Sequence, residues 1–155
     1  MKQIRLSRFK NYMLTIERSI DSDLFKNLYA FVDEDEQDIL QDGKLSCAYY
    51  VSSVLFHYKL IEDLHTTVRG LEADLERSGW QKMDEPRLGS IILWEPMPFA
   101  DGSLRRHIGF YVGGTIAVSN STRHRVPKTH DINSTTEGEP RGIEAIYWHS
   151  ELKEE

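Results

Sequence analysis

The single cysteine, Cys47, and the histidine His107 are the residues of this sequence best suited to covalent chemistry. A cysteine attacks a carbonyl carbon as its thiolate, so it needs a lowered pKa or a base within hydrogen-bond reach. Cys47 follows Ser46, a residue type that caps helices well, which places the thiol in the first turn of a helix running to about Tyr58. There the positive end of the helix dipole favours the thiolate and is expected to lower its pKa. Val51, Val54, Leu55 and Tyr58 fall on the same helical stripe as Cys47, so the thiol is expected to face the sheet on which the helix packs.

His107 opens the apolar run His107-Ile108-Gly109-Phe110-Tyr111-Val112. Alternation along a strand puts His107, Gly109 and Tyr111 on one face. Gly109 leaves room beside His107 for a close backbone approach, which the helix start carrying Cys47 can fill. Gly113-Gly114 between two β-branched runs predicts a tight hairpin. With Val112 paired to Thr115, the count sets His107 opposite Asn120, whose side chain can orient the imidazole as the third member of a triad. A one-residue slip would put Ser119 there instead. Among the remaining histidines, His57 and His65 lie on or between helices, while His124 and His130 lie in a polar loop. No spacing in the set matches a metal-ligand pattern, and neither a metal nor a cofactor is expected.

The elements that must position these residues follow from periodicity. Ser22 is expected to cap a helix with Leu24, Phe25, Leu28, Tyr29 and Val32 on one face. Gly43 breaks the chain before the Cys47 helix. A third helix spans roughly Leu64 to Ser78, and Gly79 suits its end. Ser90–Glu95, Arg106–Val112, Thr115–Asn120 and Ile143–His149 read as strands, with Pro96 ending the first. Asn120–Gly142 reads as a long polar loop. Helices followed by antiparallel strands give an α+β architecture. One domain over residues 1–155 is expected: a helical extension over 1–43, a core over 44–121, and a loop with a final strand over 122–155. Trp80, Trp94 and Tyr111 are candidates for lining a cleft.

A net charge of -6 argues against nucleic-acid and anionic-membrane partners. A lone cysteine excludes an intramolecular disulfide. No apolar run approaches the roughly 18 residues of a spanning helix, and Met1–Ile16 does not read as a secretion signal. These features fit synthesis in the cytoplasm, with action there or release by another route, and leave the oligomeric state open.

The order of cysteine at a helix start, histidine at a strand start and polar residue on the next strand resembles the NlpC-type papain-like cysteine peptidases. Ser46-Cys47-Ala48-Tyr49-Tyr50-Val51 is similar to that family's nucleophile stretch, without its usual Asp before the cysteine or its glycine at the position of Tyr49. Pro86-Arg87-Leu88-Gly89-Ser90 resembles its Pro-Gly-Asp-like turn. His107-Ile108-Gly109-Phe110-Tyr111-Val112-Gly113 is the best match, to a stretch like His-Val-Gly-Ile-Tyr-Leu-Gly. The resemblance covers Lys44 to Ser121 and extends to the related CHAP-type amidases. It implies a papain-like fold and cysteine peptidase or amidase activity on a peptide or peptidoglycan-like substrate, with Cys47, His107 and Asn120 catalytic. Two other readings of the same scaffold are a non-catalytic binding module and a thioester-forming acyltransferase.

Overall fold

The computed structural model describes residues 1–153. Its architecture is α+β: three helices and a six-stranded antiparallel sheet, with a separate two-stranded hairpin. In chain order the elements are α1 (Arg8–Ser19), β1 (Tyr29–Val32), β2 (Asp35–Asp38), α2 (Cys47–His57), α3 (Val68–Arg77), β3 (Gln81–Lys82), β4 (Ile91–Pro98), β5 (Leu104–Gly113), β6 (Ile116–Asn120), β7 (Pro127–Asp131) and β8 (Ile143–Trp148). The large sheet runs β3-β8-β4-β5-β6-β7. No helix among the described residues is long and apolar enough to cross a membrane.

The middle of the chain follows its periodicity. In α2, Val51, Val54 and Leu55 are buried as the apolar stripe requires, and they join Ile91, Leu93, Ile108, Phe110 and Val118 on one face of the sheet. Tyr50 is buried too, its hydroxyl 2.6 Å from that of Ser19 on α1. In α3 the buried residues are Leu71, Leu75 and Asp74. The helix starts later than Leu64 because Thr67 caps it, accepting from the Gly70 N–H at 3.1 Å. Asp74 accepts from the N–H groups of Glu62 and Asp63 and meets His65 Nε2 at 2.6 Å and Ser78 Oγ at 2.7 Å. Burial opposes its charge, but those partners outweigh it and hold the carboxyl down at about 2. Arg106 ties α3 to the sheet, pairing with Glu72 on the helix and Glu144 on β8.

Four expectations fail for identifiable reasons. The segment carrying Leu24 to Val32 is not a helix: after a single 3-10 turn it becomes the β1–β2 hairpin, so residues 1–43 are only partly helical. The Asp38 carboxylate gathers the N–H groups of Leu28, Leu40 and Asp42 and the Asn27 amide, which closes the hairpin at its base. The strand with Pro96 does not end there, because a bulge between Trp94 and Met97 takes the proline out of the ladder. The polar segment after Asn120 is not all loop, since it contains the edge strand β7. The β5–β6 register is also shifted by one. Phe110 pairs with Val118 and Tyr111 with Ala117, while Gly113 pairs with Ile116, so Val112 is bulged out.

Candidate functional site

That one-residue bulge decides which side chains meet His107. Gly109 now stands against Ser119, so closely that a Cβ on Gly109 would lie 2.7 Å from the Ser119 Cβ and 3.0 Å from Trp94. The space that Gly109 leaves is taken by β6 and Trp94, and not by the start of α2. His107 shares that face and reaches across it, with Nε2 2.9 Å from Ser119 Oγ. The expected pairing of His107 with Asn120 is not formed. Ser119, the alternative partner, takes the ring nitrogen, although the slip runs in the opposite sense to the one that would bring it directly opposite.

Ser119 has a second partner. His130 on β7 places Nε2 2.8 Å from the same hydroxyl, and its Nδ1 lies 2.9 Å from the Asp131 carbonyl and 2.8 Å from the Ser134 carbonyl. The indole of Trp94 lies against both imidazoles, at centroid distances of 5.5 Å from His107 and 5.2 Å from His130. Its own N–H donates to the Ile132 carbonyl at 2.8 Å. Trp94 therefore backs the two rings instead of lining a cleft, and Trp80 is buried with its N–H on the Leu60 carbonyl.

Asn120 lies on the opposite face of β6. Its amide donates to the Gly43 carbonyl at 2.8 Å, which ties the loop before α2 to the sheet. It thus braces the segment leading to Cys47 and does not touch the His107 ring. Its Oδ1 is buried without a partner among the described residues, as is Ser46 Oγ. Ser46 precedes the helix but does not cap it through its side chain; its backbone is near φ -93 and ψ 2 instead of the extended form that capping uses.

The site is an open cavity of about 1200 Å³ lined by Cys47, His107, Asn120 and Arg141, among others. Among the described residues no hydrogen bond joins the sulfur to the His107 ring. Burial pushes the Cys47 thiol up, against the N–H groups of Ala48 and Ile108 and the charge of Arg141, which pull it down. The expected depression by the helix dipole is therefore overridden by desolvation. Burial lowers His107 to about 3, with the charges of Arg141 and His130 acting in the same direction. At neutral pH the site thus holds a thiol and a neutral imidazole, and both shifts run against a thiolate–imidazolium pair.

Arg141 was not foreseen. Its Nε donates to the Glu95 carbonyl at 2.9 Å and Nη2 to the Arg105 carbonyl at 2.7 Å. Both partners are neutral, so the guanidinium keeps its full charge toward the cavity. Burial lowers its pKa while the nearby sulfur raises it. His130 was hidden in an edge strand beginning at a proline and alternating weakly, and a polar segment of that kind carries little strand signal.

No protein-family model matches the chain, and no curated protein matches it in sequence.

Proposed function

We propose that this protein is a cysteine peptidase or amidase on a papain-like, NlpC-type scaffold, hydrolysing an amide or isopeptide bond such as those of peptidoglycan stem peptides. The observation that carries this reading is the shared cavity of Cys47 and His107, with Nε2 of the histidine tied back to Ser119 and Nδ1 without a hydrogen bond among the described residues. In this mechanism the Cys47 sulfur attacks the amide carbonyl as its proton passes to His107 Nδ1. That proton then goes to the leaving amine, and a thioester remains on Cys47. Water attacks the thioester, giving its proton to the same nitrogen, and the released thiolate takes it back. Ser119 orients the imidazole, the role that the sequence pattern gives to Asn120. The Cys47 N–H would donate to the developing oxyanion. No cofactor enters any step.

The test is digestion of purified peptidoglycan and cross-linked muropeptides, with products read by mass spectrometry. Wild type should release peptides, and Cys47→Ala and His107→Gln should release none. Equal release by Cys47→Ala would refute the reading. A second reading, a binding module without catalysis, is favoured by the raised thiol pKa and by the missing sulfur–imidazole hydrogen bond. It predicts retention of muropeptides without cleavage, unchanged in Cys47→Ala.

A further inference from the structure

The two carbonyls at His130 Nδ1 determine where the protons sit in the chain of contacts behind His107. A carbonyl only accepts, so a nitrogen within 2.9 Å of one carbonyl and 2.8 Å of another must carry the hydrogen. His130 is half-buried, and burial lowers its pKa despite the Ser134 and Asp131 carbonyls and the charges of Glu137 and Asp131. It is therefore neutral at ordinary pH, and its Nε2 bears a lone pair. The Ser119 hydroxyl must then donate to that lone pair across 2.8 Å. Having spent its one proton, Ser119 Oγ accepts from His107 Nε2 at 2.9 Å. His107 is thus protonated at Nε2 and bare at Nδ1.

We infer that His130 is a positioning residue which, through the Ser119 hydroxyl and the backbone carbonyls of Asp131 and Ser134, fixes His107 in the tautomer whose Nδ1 is free to act as a base. This rests on the hydrolase reading for its purpose, but not for its geometry. It makes the proton-accepting group a relay across three consecutive strands, β5, β6 and β7, instead of a histidine and one partner. A donor in place of His130 Nε2 would reverse every bond in the relay. Ser119 would then donate to His107 Nε2, and the hydrogen of His107 would move through solvent to Nδ1, which removes the base.

The experiment is long-range nitrogen–proton correlation on the imidazoles of the whole protein at neutral pH, assigned with His107→Gln and His130→Gln. Wild type should show opposite tautomers in the two rings, hydrogen on Nε2 of His107 and on Nδ1 of His130. A hydrogen on Nε2 of His130 overturns the inference, and this measurement needs no variant to fold. His130→Lys, a pure donor, should move the His107 hydrogen to Nδ1 and slow iodoacetamide labelling of Cys47 at pH 7 by about tenfold or more. His130→Gln, which can offer an amide oxygen to Ser119, should keep the wild-type His107 pattern and rate. Unchanged His107 shifts in folded His130→Lys overturn the relay alone. The expected tautomers together with a Cys47 inert to iodoacetamide in wild type refute the hydrolase reading and leave the relay standing.

Discussion

Replacing Gly109 by alanine tests the packing that holds the relay together. The new Cβ would sit 2.7 Å from the Ser119 Cβ, 2.7 Å from the Val118 carbonyl oxygen and 3.0 Å from Trp94. Two of those neighbours belong to or adjoin the β6 backbone, which is paired on both sides, and the third is a fully buried indole, so none yields cheaply. Overpacking at such a site costs about 1–3 kcal/mol. For a chain of this size each kcal/mol lowers the melting temperature by roughly 2–4 °C, so a fall of about 2–12 °C is expected by calorimetry. The strain falls on Ser119, so the His107 and His130 ring shifts should move more than the change in folded fraction explains. A double-mutant cycle separates the contributions. Ser119→Gly removes the nearest Cβ, so Gly109→Ala should cost about 1 kcal/mol less in that background, a coupling typical of residues in contact. Gly109→Ala as stable as wild type, or additivity with Ser119→Gly, would refute the reasoning.

Other outcomes follow from the same geometry. Arg141→Gln removes a charge that favours the Cys47 anion. The midpoint of iodoacetamide labelling against pH should therefore rise, and Arg141→Lys should recover part of the change. Asp74 titrates near 2 in the folded chain, below its ordinary 3.8, so its stabilisation is present above about pH 4 and lost as pH falls through 2. That amounts to about 2 kcal/mol, and Asp74→Asn should flatten the acid limb of urea-unfolding stability between those values. His107 has the same sign by a different route: the folded form stays neutral down to about 3 while the unfolded chain takes up a proton near 6.5. Stability should therefore decline as pH drops from 6.5 toward 3, and His107→Gln should remove that part of the slope. Asn120→Ala frees the Gly43 carbonyl and should loosen the loop before α2. Faster amide exchange there, with the His107 ring shifts unmoved, would separate its role from that of Ser119.

The parts of the fold that could be read in the sequence are those where burial enforces a period. The α2 stripe, the apolar runs of β4, β5 and β8, and Gly79 after α3 fall where the pattern puts them. Cys47 and His107, which the sequence singles out, both line one cavity. The rest was hidden by interactions that periodicity does not encode. Leu24 and Tyr29 keep helical spacing but are exposed, and one carboxylate, Asp38, settles the local conformation. A single bulged residue, Val112, moved the partner of His107 from Asn120 to Ser119. The thiol's environment was misjudged because a helix start says nothing of how deeply it is buried, and burial outweighs the dipole here.

The relay also has an order of assembly. His107, Ser119 and His130 lie on three successive strands of a meander whose neighbours in sequence are neighbours in space, whereas Cys47 arrives from the first third of the chain. Contacts between nearby segments close at less entropic cost than distant ones. The His107–Ser119–His130 cluster is thus expected to form, with its tautomers set, before Cys47 reaches the shared cavity. Pulsed hydrogen exchange during refolding should find the β5–β7 amides protected ahead of those at the start of α2. A nascent or partly unfolded chain would then carry an ordinary thiol, and the environment that shifts Cys47 would exist only once the whole domain has closed.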